Sequence, residues 1–267
     1  MFSGFIFSDI YVVQPFTDYI SLVGTASGTY ARIRHLSKYF SIFREGLKAL
    51  TSTYERLEIT EHANQISVST LFPRPSYKPG SNPPSQPLTL LRQHQADHYH
   101  LYEAKYGDTN ALVKFCETYS EDAHRLLADK GLAPELYYYG ELRGGMKMVI
   151  MAYDSDATNA HYAFKGQDLP PSVVEDVQKA IFTLHEKDIV FGDLRRPNIL
   201  VKKREDGGGT WRAQLCDFDR AGKDGQGRYS PRLNTIMIRW AEGVMPNGVK
   251  EKRHDWEMLE IIKSDTI

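Results

Sequence analysis

The sequence is short of most features that would classify a protein at once. Its 267 residues include two cysteines, Cys116 and Cys216, both inside apolar runs and neither in a metal-ligand spacing. That argues against a disulfide framework or a cysteine zinc site and suits a reducing, intracellular and cytoplasmic setting. Both thiols are expected as small buried hydrophobes. The formal net charge is -1, so no global field draws the chain to nucleic acid or to an anionic membrane. No apolar run approaches the roughly 20 residues that a membrane-spanning helix needs. The apolar start, "MFSGFIFSDIYVVQPF", lacks a basic leader and carries Asp9, which argues against a signal peptide. No internal repeat is visible. The expected partners therefore include neither nucleic acid nor membrane.

Proline is scarce except in one place. Six of the 13 prolines fall in "FPRPSYKPGSNPPSQP", Phe72 to Pro87. Such a stretch is extended and cannot be a helix, and it reads as a linker or long loop. Residues 1–71 before it form an extension that is partly helical. Within it Ile33, Leu36, Phe40, Phe43, Leu47 and Leu50 recur every three or four residues. This periodicity predicts an amphipathic helix over Ala31 to Ile59, or a helical pair broken at Gly46. Its apolar face is expected to pack on its own domain, with a protein partner as the alternative.

Beyond the linker the period changes. Tyr99 to Tyr153 reads as β-β-α-β-β: a hairpin turning at "YGDTN", a short helix, and a second hairpin turning at Gly144-Gly145. Ser120 is placed to cap the helix, Glu121 and Asp122 suit its positive end, and Gly131 suits its stop. A further helix follows, with Ser172 and Glu175 as a capping box and Val173, Val177, Ile181 and Leu184 as its stripe. Then "NILVKK", a turn at Gly207 to Gly209 and "WRAQLCDFD" read as another hairpin. The fold class is α+β: a small, mostly β lobe over 88–153, then a short helical lobe over 154–267.

The chemistry-bearing residues gather at that last hairpin. Asp193 and Asn198 are five apart across a turn containing Pro197, and Asp217 ends the partner strand. Two carboxylates and an amide converging there suit one or two Mg²⁺ ions, which take hard oxygen ligands together with phosphate oxygens. Asp193 is alternatively placed to accept a hydroxyl proton.

The ordered series resembles the protein-kinase-like superfamily over Leu88 to the C-terminus. "FGDLRRPNIL" resembles the catalytic loop, "CDFD" the D-F-G segment, and "ALVKF" the strand bearing the phosphate-pairing lysine. The fuller wording "GDLRRPNIL…DFDRAGKDGQGRY" resembles a group of fungal atypical kinase-like proteins. The G-D pair also resembles the H-G-D of aminoglycoside and choline phosphotransferases. The resemblance implies a two-lobed fold, ATP and Mg²⁺ as cofactors, and transfer of the γ-phosphoryl group to a hydroxyl. The acceptor would be a protein Ser/Thr or, alternatively, a small molecule.

Residue by residue, the resemblance makes Asp193 the catalytic aspartate and Asn198 and Asp217 the metal ligands. Lys114 becomes the phosphate-pairing lysine. Arg195 would neutralise charge on the transferred group. Met151 and Tyr153 lie where the hinge would offer backbone groups to an adenine. The helix partner of Lys114 is expected to be Asp122, which shares a face with Leu126, while Glu121 faces solvent. Asp255 would brace the catalytic loop, and Glu242 in "RWAEGV" stands for the glutamate of A-P-E.

Several positions depart from the pattern. "TLLRQHQADHYHLYEA" has no G-x-G before the lysine strand, and Arg92 to His98 would offer side chains in its place. Phe191 replaces the motif histidine, and Gly192 replaces the arginine that reads a phosphorylated activation loop. Asp219 stands at the D-F-G glycine and is expected to cap the next turn rather than to join the site. Arg196 is expected as a loop charge paired with an acid. Only fifty residues follow Asp217, so the later helices that dock protein substrates are expected to be absent, whether from a minimal lobe or from a truncated one. A retained fold without turnover, a pseudokinase, is the rival reading.

Overall fold

The computed structural model describes residues 3–6, 12–15, 29–55, 75–94, 100–204 and 209–264. The chain divides into two compact units, Met1–Arg74 and Pro75–Ile267. In the first, β1 (Ser3–Ile6) pairs antiparallel with β2 (Val12–Pro15), and α1 runs from Thr29 to Glu55. The helix is continuous through Gly46, so the expected break does not occur. Its expected end at Ile59 lies outside the described residues, as do the side chains of Ile33, Leu36 and Leu50. Phe40, Phe43 and Leu47 are exposed.

In the second unit the proline-rich stretch is described from 75 to 87. It is extended, as its prolines require, but it is tied along the lobe that follows. Tyr77 bridges Leu142, and the Arg143 N–H donates to the Ser76 carbonyl at 2.7 Å. The Tyr138 hydroxyl donates to the Asn82 carbonyl at 2.8 Å.

Next comes an antiparallel sheet of five strands: β3 (Leu88–Gln93), β4 (Leu101–Tyr106), β5 (Thr109–Cys116), β6 (Leu136–Glu141) and β7 (Lys147–Ala152). Its order is β3-β4-β5-β7-β6. The two expected hairpins are present, β4–β5 across Gly107 at φ +57° and β6–β7 across Gly144 and Gly145, both at +83°. Strand β3 is additional to the four expected. The helix α2 (Glu121–Ala128) lies between β5 and β6, and the Ser120 hydroxyl accepts from the Ala123 N–H at its start.

The remaining chain is the helical lobe. It holds β8 (Thr158–Asn159), α3 (Ala160–Ala163), α4 (Pro171–His185), β9 (Ile189–Val190), β10 (Ile199–Lys203), β11 (Trp211–Leu215), β12 (Gly222–Lys223) and α5 (Lys252–Lys263). The expected hairpin is β10–β11, with Ile199 opposite Leu215. Residues 205–208 of its turn lie outside the described residues. β9 pairs with β12.

The predicted stripe on α4 is buried: Val173, Val177, Ile181 and Leu184 meet Phe191, Leu194, Ile199 and Phe218 in one core. The predicted capping box is not formed. Pro171 occupies the first helical position, where its missing N–H costs nothing. The Ser172 hydroxyl instead accepts from the Trp211 N–H at 3.3 Å. The α4 helix thus starts two residues before the box would need, and its serine ties it to β11.

Candidate active site

Strands β9 and β10 frame the loop 191–198, and its shape is set from beneath by α5. The buried Asp255 carboxylate accepts from the Phe191 N–H at 2.8 Å and from the Gly192 N–H at 2.9 Å. His185 Nε2 lies 3.0 Å from the same carboxylate. Gly192 has φ +73°, and a Cβ there would stand 2.8 Å from the Arg220 carbonyl and 3.3 Å from Lys250 Cε. Any side chain at 192 is therefore excluded twice, by backbone conformation and by space. The stem of Lys250 fills the room beside Gly192, and its ammonium lies over the Tyr229 ring. Burial, and then the neighbouring Arg220, hold the Lys250 pKa below the ordinary lysine value.

Arg196 is not the surface charge expected. It is buried, and its guanidinium donates to the carbonyls of Ile262 (2.9 Å), Phe164 (3.0 Å), Gln167 (2.8 Å) and Lys263 (3.3 Å). Two of these belong to the last turn of α5, where carbonyls lack helical partners and the helix dipole favours a cation. Arg196 thus fastens the loop to the C-terminal end of α5, while Asp255 holds it near the N-terminal end.

Above these anchors the expected polar residues converge. Asn198 Nδ2 donates to the Asp193 carbonyl at 2.8 Å, and the Asn198 carbonyl accepts from the Cys216 N–H at 3.0 Å, one residue before Asp217. Arg195 grips Asp193 with two parallel bonds, Nε to Oδ1 at 2.6 Å and Nη2 to Oδ2 at 3.0 Å. Such a fork fixes the plane of a carboxylate as well as its charge. Each Asp193 oxygen keeps a further lone pair for another donor.

Lys114, from β5, reaches across to the helical lobe. Its Nζ lies 2.6 Å from Asp217 Oδ1 and 2.7 Å from Asp219 Oδ1. Burial alone would lower the lysine pKa; the two carboxylates outweigh it and raise it. Burial also pushes Asp217 up, but the Lys114 charge and hydrogen bonds from Lys114 and Asp219 hold it below the ordinary aspartate value. Asp219 goes the other way. Burial, and then the Asp217 charge, push it up to about 7 despite Lys114. Asp217 has a left-handed backbone, φ +69° and ψ 70°. A non-glycine residue held there stores on the order of 1 kcal/mol.

Two expectations are corrected at this point. Asp122 does not reach Lys114: it is exposed, and the buried face of α2 is Ala123, His124 and Leu127. Glu121 pairs with Arg125 at 2.8 Å. The eight-residue helix is turned so that its first-turn acids face outward, and the i, i+4 argument from Leu126 fails because Leu126 is itself only half-buried. Replacing Asp122 by alanine should change stability by less than about 1 kcal/mol, the scale of a helix-dipole contact. A urea denaturation series on the variant checks this. Asp219, in turn, is not a turn cap but a third carboxylate of the cluster.

An aromatic column supports this cluster. Phe191 meets Phe218 edge to face at 5.6 Å, and Phe218 stacks on His124 at 4.7 Å. The Phe191 ring thus fills an apolar site, as expected for the residue at the motif histidine. His124 is fully enclosed, with Nδ1 2.6 Å from the Tyr119 hydroxyl and Nε2 2.8 Å from the Pro134 carbonyl. The carbonyl needs Nε2–H, so the Tyr119 hydroxyl donates to Nδ1 and the ring is neutral. Burial lowers its pKa from 6.5 to about 4. A depressed folded-state pKa leaves stability whole above 6.5 and erodes it as pH falls toward 4, by up to ~3 kcal/mol. Denaturant midpoints across pH 4–7 should show that slope in the wild type and lack it in His124→Gln.

At the far end of β7, Met151 is buried in one row with Leu112 and Glu103 on the same sheet face as Lys114. The expected backbone donors there are already committed: Ala152 N–H to the Glu135 carbonyl at 2.8 Å and Tyr153 N–H to the Asn110 carbonyl at 3.4 Å. The Tyr153 hydroxyl points to Glu103 at 3.5 Å. Glu103 also takes Arg92 at 2.8 Å and His94 at 3.2 Å. Residues 95–98 of the stretch expected to replace the glycine loop lie outside the described residues. Glu242 is exposed, and it is its backbone N–H that bonds, to Glu257 at 2.9 Å.

No protein-family model matches the chain, and no curated protein matches it in sequence. Its structure does find a counterpart. The kinase PK-1 of Cydia pomonella granulovirus matches with a TM-score of 0.53 at 16% identity. The fold is kinase-like. The match covers 66% of this chain and 66% of the viral kinase, just under two thirds of its length. At that identity the likeness concerns the fold: a β-rich lobe and a helical lobe meeting at the Lys114–Asp217 contact. Among the described residues no group of three or more His, Cys, Asp or Glu side chains forms a ready metal cage. Among them, too, no helix is long and apolar enough to cross a membrane.

Proposed function

We propose that this kinase-like chain is an atypical phosphotransferase that moves the γ-phosphoryl group of ATP to a hydroxyl acceptor with Mg²⁺. One observation carries the reading. A lysine from the sheet and an aspartate from the helical lobe meet at 2.6 Å, next to a braced loop presenting Asp193 and Asn198. Phosphoryl transfer asks a protein for positioning and charge stabilisation rather than covalent chemistry, and this cluster supplies both. Lys114 pairs with phosphate oxygens. Asp193, its plane fixed by Arg195, orients the acceptor hydroxyl. Arg195 balances charge on the transferred group.

Asn198 and Asp217 fit a magnesium ion. The Asn198 amide nitrogen is committed to Asp193, which leaves its oxygen as a free acceptor, and one carboxylate plus one amide oxygen is a donor set that Mg²⁺ takes together with phosphates. The ion would neutralise phosphate charge there. The acceptor favoured by the resemblance is a protein Ser/Thr, with a small-molecule hydroxyl as the alternative. The wording of the loop and of "DFDRAG" resembles fungal atypical kinase-like proteins.

A second reading, the same fold without turnover, is favoured by the nucleobase end. There Arg92, His94 and Tyr153 crowd onto Glu103, and the N–H groups of Ala152 and Tyr153 are spent. Thermal unfolding with and without millimolar Mg·ATP separates binding from non-binding. A ligand that binds the folded state alone must raise the melting temperature once it exceeds its Kd. The proposal expects a rise of several degrees, and no rise would remove ATP from it.

A further inference from the structure

The geometry points to Asp219 as the residue that positions Lys114, in place of an acid from α2. This rests on the phosphotransferase reading and names how its lysine is held. The reason lies in what α2 presents. Its buried face is Ala123, His124 and Leu127, its Asp122 is exposed, and its half-buried Glu121 is taken by Arg125 at 2.8 Å. Nothing on that helix can hold an ammonium ion at β5. Asp219 comes instead from the segment that already carries Asp217. Its Oδ1 lies 2.7 Å from Lys114 Nζ, and it is only 29% exposed, in a space bounded by Lys114, Cys116 and Tyr119.

The segment is tied to the start of α2 through its backbone. The Ser120 N–H donates to the Phe218 carbonyl at 3.1 Å, and the Thr118 hydroxyl donates to the Asp219 carbonyl at 2.9 Å. Phe218, between the two acids, is locked between Phe191 and His124. The turn that presents Asp219 is therefore fixed from both sides.

Two carboxylates on one lysine divide the work. Asp217 is the one suited to a metal ion, and once it serves that ion it can no longer hold Lys114 alone. Asp219 keeps the ammonium in place. The lysine is thus positioned by the 217–219 segment itself and not by any swing of α2 toward the sheet. It also gives a reason for aspartate at 219, where the resemblance expects glycine.

The test uses the full chain and three forms: wild type, Asp219→Asn and Asp219→Glu. The first measurement needs no nucleotide: the rate at which an amine-reactive ester labels Lys114, followed by peptide mass spectrometry. Loss of the Asp219 contact should free the ammonium from one of the two groups that hold it and speed labelling about tenfold in Asp219→Asn. Asp219→Glu should return it to within about threefold of wild type. Equal labelling in all three overturns the positioning role, whatever nucleotide does. The second is the Kd for Mg·ATP by calorimetry, expected to weaken about tenfold in Asp219→Asn and to recover in Asp219→Glu. Weakened binding that excess Mg²⁺ restores and glutamate does not would make Asp219 a metal ligand instead, and would overturn the inference. If the wild type does not bind Mg·ATP, the phosphotransferase reading fails, and the labelling rates still decide what holds Lys114.

Discussion

Asp255→Ala should lower the unfolding free energy by about 3–5 kcal/mol, a loss that breaks a buried charged network rather than trimming a contact. The carboxylate is 1% exposed and holds two backbone N–H groups, Phe191 and Gly192, that have no other acceptor in sight, together with His185. Each buried donor left without a partner costs about 1–3 kcal/mol. Gly192 cannot relax to a new turn cheaply, because its left-handed backbone is wedged against the Arg220 carbonyl. Asp255→Asn recovers little, since its amide must turn an NH₂ toward one of these donors. For a unit of this size the alanine variant should melt roughly 10 °C lower. Differential scanning calorimetry reads the shift, and a drop under about 3 °C would mean that the loop does not depend on this brace.

Arg196→Met should cost about 2–4 kcal/mol, because it strips the donors from several buried carbonyls at once. The guanidinium joins carbonyls from three places, the end of α5, Phe164 and Gln167, and all must find other donors if it goes. Methionine fills much of the volume but donates nothing. Lysine keeps the charge near the α5 terminus without the planar fork, so Arg196→Lys should recover only part of the loss. Urea unfolding of both variants gives the comparison. Equal stability of the methionine and lysine forms would show that packing, not hydrogen bonding, is what Arg196 contributes.

These two anchors show where the sequence was readable and where it was not. Asp255 is legible because "RHDWEMLEII" resembles the helix whose buried aspartate braces the catalytic loop. The burial of Arg196 is not legible, because the carbonyls that draw it inward leave no mark in a sequence. The hairpins were legible for local reasons: glycines at turns that need positive φ, and apolar alternation along the strands. The start of α4 lies two residues before the expected one, since Pro171 and Ser172 both suit a helix N-terminus and only the tertiary contact to β11 decides between them. Asp122 failed for a related reason. An eight-residue helix fixes its own rotation weakly, and α2 is set by His124 stacking on Phe218 and by buried Leu127 rather than by Leu126. Asp219 was discounted because the pattern expected glycine there. Its charge, beside a second aspartate two residues away, is the signal that two carboxylates meet on one lysine.

The central claim, that this cluster transfers phosphoryl groups, is tested most directly by ATP turnover in the wild type against Asp193→Asn. Asparagine keeps the shape and one acceptor for Arg195 but cannot take a proton from an acceptor hydroxyl. The account predicts measurable Mg²⁺-dependent turnover in the wild type and a fall of about 10³-fold or more in the variant, with Mg·ATP still bound. Equal turnover in both, or none in a wild type that binds Mg·ATP, would contradict it.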